Sequence, residues 1–472
     1  MTENPFVRVW RNLLRKEPQG VAAGQSLTQQ QAVTAIQNWG GTVEFDEQSP
    51  QRPVIAVSFH DVRLPDEAMA CLTGLSQLQS LDLWKTRIGD SGLKCVAGLT
   101  QLRMLQLGHC NISDAGLKSL RSLTELEVLD LWKTKVTDAG LEHLHSLAQL
   151  RVLSLWTTRI HSAGLAHLRG LTRLVSLNLA NTDVDDAGLK HLAGMGQLEE
   201  LFLGKTNVGN AGMRHVRELT QLETLELWGT KVGDRGLQHL GGLSNLRELD
   251  LSKTRVTDVG LWQLAGLAQL ASLCLGHTRV TGAGLKHLRG LPELRTLNLG
   301  YSRVDDTGME HIEDLRQLQV LDLWHTPITD AGVARLANLT ELRELHLGET
   351  AITDAGMKHL KALIRLQVLN LWGTRITNAG LVQLTNMNDL RELHLGRTDV
   401  HQGGLKNLGG LPSLKVIGRY KARDDADQSP GDRQRASSRQ RASEGASSRL
   451  VDLLLTPLAW IITVFARLRR KK

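Results

Sequence analysis

A period of 24 residues runs through most of this chain without an insertion or a deletion, and it constrains the fold more than any other feature. Stepping by 24 from Thr86 meets Cys110, Thr134, Thr158, Thr182, Thr206, Thr230, Thr254, Thr278, Ser302, Thr326, Thr350, Thr374 and Thr398. The glycine six positions later, from Gly92 to Gly404, is present in all fourteen copies. Residues 54–75 fit the same register with Val62 and Ala68 in those two places, a degenerate first copy. So short a unit has one apolar face that it cannot bury alone. Each copy must be covered by the next, so residues 54–417 are expected to stack in one dimension.

Within the unit, L-x-x-L-x-L-x-x-T-x-[IV]-x-D-x-G-[LMV]-x-x-[LVI]-x-x-[LM], the L-x-L core alternates with period two and predicts a short strand with leucines inward. The D-x-G-L-x-x-L stretch has helical spacing. The Asp90 position holds Asp in nine copies and Ser162, Asn210 or Asn378 in three more, the residue types that cap a first helical turn. The glycine marks close packing between neighbouring helices, where a Cβ would clash. The threonine hydroxyl is expected to bridge backbone groups of adjacent turns as a polar ladder.

These residues resemble the leucine-rich-repeat family, in the 24-residue T-D-A-G-L form of bacterial solenoids and of F-box/leucine-rich-repeat proteins. The resemblance implies an α/β solenoid, a horseshoe with a parallel concave sheet and short convex helices. It also implies a non-enzymatic scaffold that binds a protein partner on the concave face. Two departures stand out: threonine replaces the ladder cysteine everywhere except Cys110, and residues 1–53 show no F-box pattern. A ubiquitin-ligase substrate adaptor is the alternative.

The formal net charge of +7 suggests nucleic acid until it is located. From Val54 to Leu414 there are 37 Lys/Arg against 38 Asp/Glu, whereas from Lys415 to Lys472 there are 14 against 6. A neutral body with a basic tail is not a phosphate-tracking solenoid, and nucleic acid is set aside. Four cysteines are too few for a disulfide framework, and the opening residues lack an uninterrupted apolar run, so the chain reads as cytoplasmic.

The ends divide by composition. Residues 1–25 form a basic arm in which Phe6, Val9, Trp10, Leu13 and Leu14 share a helical face. Residues 26–53 read as an N-terminal cap: a T-x-x-Q capping box at Thr28 and Gln31, a helix from Gln29 to Trp39, a stop at Gly40 and Gly41, then the first of two strands. Residues 418–449 read as a disordered basic linker. In 450–472, Leu453, Leu454, Leu455, Trp460, Ile461, Ile462 and Phe465 precede Arg467, Arg469, Arg470, Lys471 and Lys472. The uncharged run from Leu453 to Ala466 would make a helix of about 21 Å against a hydrocarbon core of about 30 Å. An anionic membrane surface is the favoured partner of this segment, making the protein peripheral at the membrane; a single span and a cap on the open end of the stack are the alternatives.

Alternation places the Ser80, Asp82 and Trp84 positions on the concave sheet. The Trp84 position holds Trp84, Trp132, Trp156, Trp228, Trp324 and Trp372; every other full copy holds Gly, Ala or Ser. Five of these tryptophans have Lys or Arg three residues on, and four have an acid two before. Two readings stand side by side: a row of aromatic anchors for the partner, and indoles laid flat over a neighbouring copy's glycine with a cation–π contact. Eight histidines recur at one helical position, from His143 to His359, but no carboxylate or thiolate recurs beside them, so copying explains them better than metal. Glu344 with His346 and Glu392 with His394 have no third orienting group. No catalytic residue, metal, cofactor or small-molecule substrate is assigned.

Overall fold

In every copy the inward leucines leave room for only three residues of strand before the chain turns. The computed structural model describes residues 28–411 and 413–418. The basic arm, nearly all of the linker, and the segment 450–472 with its membrane reading lie outside the described residues.

Seventeen strands form one sheet. β1 (Thr42–Phe45) pairs antiparallel with β2 (Val54–Ser58). Each later strand joins its predecessor in parallel, beginning with β3 (Ser80–Asp82), β4 (Met104–Gln106), β5 (Val128–Asp130) and β6 (Val152–Ser154). The register steps by the 24-residue period, Leu81 facing Leu105 and Leu105 facing Leu129. The last strand, β17 (Lys415–Ile417), pairs with Glu392–His394 after a step of 23. Short helices such as Asp114–Leu117, continued by the 3₁₀ turn Lys118–Leu120, lie opposite. The leucines of both layers form one continuous core.

The N-terminal end is closed by α1 (Gln29–Asn38), whose capping box joins Thr28 and Gln31 as read. Ala32, Val33 and Ile36 of α1 are buried in the end of the core. Gly41 allows that approach, since a Cβ there would lie 2.5 Å from the Phe59 ring.

Two expectations about the repeat need correction. The aspartate caps not its own helix but the junction to the next copy. Oδ1 of Asp90 accepts from the Ser113 amide at 2.8 Å and Oδ2 accepts from the Ser113 hydroxyl at 2.5 Å. Asp114 holds Thr137 in the same way, and Asp234 holds Thr257. The invariant glycine answers to this clamp: a Cβ on Gly116 would lie 2.5 Å from Oδ1 of Asp90. The threonine ladder is a row of local bonds, because Thr134 donates to the Leu131 carbonyl and Thr230 to that of Leu227, three residues back. Only Cys110 crosses turns, donating to the Leu83 carbonyl at 3.0 Å. The geometric reason is length, since an aspartate reaches across a junction where a threonine Oγ1 reaches only its own turn.

The concave face as candidate binding site

Each strand ends in a residue of left-handed backbone, one position after the tryptophan column. Lys85, His109, Lys133, Thr157, Asn181, Lys205, Lys253, His277, Tyr301, His325, Glu349 and Arg397 all have φ between 52° and 63°. Their amides extend the ladder, as Lys85 does to the Gly108 carbonyl and His109 to that of Trp132. Such residues each cost about 1–2 kcal/mol and persist because the stack fixes them. The sequence gave little sign of this column: Gly229 and Gly373 were its only glycines. Its effect is to stand a side chain up beside each position of the tryptophan column.

At the N-terminal end the rings form a roof. His60 stacks on Trp84 at 4.6 Å, Trp84 on Trp132 at 5.6 Å, and Trp132 on Trp156 at 5.5 Å. Trp84 and Trp132 meet over Gly108, where a Cβ would lie 2.7 Å from Cδ1 of Trp84. Asp82, Gln106, Asp130 and Ser154, expected on the exposed sheet, are therefore at most 6% exposed. Burial lifts the Asp130 carboxyl to about 6. Both Gln106 amide atoms, Asp130 Oδ2, Ser154 Oγ and Trp84 Nε1 find no hydrogen-bond partner there. The acid two positions before each tryptophan has a local task, since Oδ1 of Asp82, Asp130 and Asp322 accepts the amide of Trp84, Trp132 and Trp324.

The remaining tryptophans lie over neighbouring glycines. Trp228 occupies the space above Gly204, Trp324 that above Gly348, and Trp372 that above Gly396, where a Cβ would lie 2.5 Å from its Cδ1. Trp324 and Trp372 stack at 5.5 Å. Cation–π contacts are present, but their partners come from the left-handed column rather than three residues on. Lys85 sits over Trp84, Lys133 over Trp132, Lys205 over Trp228 and Arg397 over Trp372, at 4.5–5.9 Å.

Between Trp228 and Trp324 the column is empty. Ser252, Gly276 and Gly300 fill it, and a Cβ on either glycine would meet polar atoms and backbone but no ring. Beside this gap a second stack rises from the left-handed column, His277 on Tyr301 at 4.2 Å and Tyr301 on His325 at 4.7 Å. The strands next to it, β8 (Glu200–Phe202), β9 (Thr224–Glu226) and β10 (Glu248–Asp250), carry four carboxylates on the concave side. Burial, then Asp250, Glu248 and Glu200, hold the Glu226 carboxyl well above the usual range.

Nothing in these surroundings builds a catalytic group. His346 lies 3.9 Å from Glu344 and His394 3.5 Å from Glu392, each within one strand, with Asn370 between the two pairs. The four cysteines are free, and burial lifts the thiols of Cys71 and Cys110 to about 11. No cluster of three metal-ligating side chains occurs among the described residues.

A tandem parallel stack with this spacing defines the class of protein. The leucine-rich repeat region family matches residues 62–275 and 261–433, and the chain belongs to it. No curated protein sequence matches the chain. Among solved structures, an internalin (InlF) of Listeria monocytogenes is similar, with a TM-score of 0.52 and 20% identity over 84% of this chain and 94% of its own. A leucine-rich-repeat protein of Leptospira interrogans gives 0.57 at 20% identity, over 76% and 94%. The functional domain of InlJ from Listeria monocytogenes, which includes a cysteine ladder, gives 0.51 at 15% identity, over 77% and 72%. The likeness is one of fold.

Proposed function

We propose that this chain is a non-enzymatic, cytoplasmic scaffold that binds a protein partner across its concave sheet and is tethered to an anionic membrane surface by residues 450–472. The observation that carries the first half is the sheet itself. Its strands present one long parallel surface, set with Trp84, Trp132, Trp156, Trp228, Trp324 and Trp372, and indoles are the residues that most often dominate interface energies. The tether rests on sequence: seven apolar residues including Trp460 and Phe465 adjoin five positive charges, and two weak signals together hold a protein on anionic lipid. No helix among the described residues is long and apolar enough to cross a membrane. The adaptor alternative gains nothing between residues 28 and 53, where α1 and β1 cap the stack.

The test is capture of partners by the full chain and by Trp132→Ala/Trp156→Ala. If these rings bind, the variant loses about 2 kcal/mol or more of affinity per folded molecule. If they serve only as roof, its melting temperature falls while binding per folded molecule is unchanged, and the partner-binding role passes to the open centre of the sheet. For the tether, full-length protein should float with anionic vesicles at low salt, and Trp460→Glu should reduce flotation. Loss of neither would end the membrane reading.

A further inference from the structure

The centre of the concave face is built unlike the rest. Glu200 and Glu248 flank Thr224 in register, and Glu226 lies beside Asp250, so four carboxylates share three adjacent strands about 4.8 Å apart. Elsewhere in Glu226's column an aspartate or asparagine is tied to the amide two residues on. Glu226 has one more methylene, makes no such bond, and has no hydrogen bond or ion pair with another described residue. The charges that bear on it, Asp250, Glu248 and Glu200, all repel it. The tryptophans leave this trough open: Trp228 leans over Gly204 and Trp324 over Gly348, one to each side. The benzo edge of Trp324 (Cε3, Cζ3, Cη2) is the edge over Gly348, so its pyrrole edge turns back toward Gly300. Trp324 is 9% exposed, and its Nε1 has no acceptor. A negative floor and a waiting N–H donor suit an extended chain that brings cations on its side chains and carbonyls on its backbone.

Such a chain is close by. Residues 433–443 read R-Q-R-A-S-S-R-Q-R-A-S, four arginines and no acid, just beyond the described residues. The docking site and its occupant also match in length. β10 is seven strand steps from β17, about 34 Å, and the fourteen residues 419–432 span up to about 48 Å. Nine extended residues cover about 30 Å, against about 24 Å from β8 to β13 (Val320–Asp322). We propose that this trough is the docking site of the chain's own arginine-rich segment, Arg433 to Arg441. The contact is intramolecular, so even modest ion pairs hold it at millimolar effective concentration. A partner for the concave face must displace it. The proposal does not rest on the partner-binding reading, and its test needs no partner.

The experiment is limited trypsin cleavage of the full chain at low salt, followed at Arg433, Arg435, Arg439 and Arg441. Cleavage there should be about tenfold slower in the native chain than in Glu226→Gln/Glu248→Gln/Asp250→Asn, and the difference should vanish near 0.5 M salt. Equal rates at low salt overturn the proposal. Glu293→Gln/Glu341→Gln, acids away from the trough, should leave the protection intact; loss of protection there would reduce the effect to bulk charge and overturn it as well. Should the triple variant fail to fold, replacing the four arginines by glutamine in the native solenoid takes its place. Hydrogen exchange must then speed up at residues 224–226 and 248–252, and unchanged exchange refutes docking. If the native tail is cut freely while an added arginine-rich peptide of unrelated sequence protects those strands, the trough serves a basic segment of another protein and the proposal is wrong about the occupant.

Discussion

In the copies that carry β3 to β6, four rings stand in one row over Asp82, Gln106, Asp130 and Ser154, whereas the copies that carry β10, β11 (Ser272–Cys274) and β12 (Thr296–Asn298) put Ser252, Gly276 and Gly300 in that row. The backbone is the same in both stretches, down to the left-handed residue after the column. What differs is the volume at one position in 24. An indole seals two copies at once, because it fills its own place and its neighbour's glycine, and it forces polar side chains beneath it out of water. Three small residues in succession leave nothing to seal with. The convex side changes at the same place: Gly282 stands where other copies have the clamping aspartate, and it packs directly on Gly308 instead. A solenoid of near-identical units thus acquires a closed end and an open centre through side-chain volume alone.

The largest effect expected is on the clamp that both regions share. At Gly212 a Cβ would lie 2.6 Å from Oδ1 of Asp186 and 3.1 Å from its Cα. Backbone cannot yield as a side-chain tip can, so Gly212→Val should cost about 3 kcal/mol, read as a lower urea midpoint with an unchanged slope. A changed slope would mean that the array breaks at this junction and melts in two parts, so that the closed and open regions are separately stable units.

Next in size is the carboxylate under the roof. Asp130 has a folded-state pKa of about 6 against 3.8 when free. The folded protein therefore holds this proton more tightly than the unfolded chain. Stability is highest below about pH 4 and is lost as pH rises through 6, by about 3 kcal/mol at most. Asp130→Asn keeps an oxygen for the Trp132 amide and carries no charge. It should leave the melting temperature unchanged at pH 4 and raise it at pH 7.5. A gain of the same size at both pH values would show that the roof does not exclude water, and the contrast between the two regions would fail.

Legibility in the sequence followed the range of the interactions. The period, the inward leucines and the capping box at Thr28 could be read because each depends on spacing along the chain. The alternation of tryptophan with glycine was visible too, and so was the idea of an indole over a neighbour's glycine. Which way each ring leans was not, because Trp84 and Trp228 have the same local sequence grammar and are placed by contacts 24 residues away. The aspartate was assigned to its own helix for the same reason: its partner is the amide 23 residues on, a distance at which a capping motif and a junction clamp look alike. The left-handed column was hidden because lysine, histidine and tyrosine occupy it where glycine would have announced it. The acidic trough escaped notice since Glu200, Glu226, Glu248 and Asp250 are scattered over fifty residues and meet only when the strands align.

The smallest expected effect makes the sharpest comparison, because it uses one methyl group as a probe of both regions. A Cβ at Gly204 collides with the pyrrole edge of Trp228, so Gly204→Ala must push an indole out of its seat. Displacing a ring held by one cation–π contact should cost about 1–2 kcal/mol and redden the tryptophan emission. At Gly276 the same Cβ would find Asn298 Oδ1 at 3.1 Å and the Gly300 carbonyl at 3.2 Å, with no ring near. Neither glycine has a positive φ, so backbone strain does not separate them. The Asn298 amide can rotate by the few tenths of an ångström required, and Gly276→Ala should cost less than about 0.5 kcal/mol with emission unchanged. If Gly276→Ala proves as costly as Gly204→Ala, the centre of the sheet is as tightly covered as its N-terminal end, and the difference drawn between them is one of composition only.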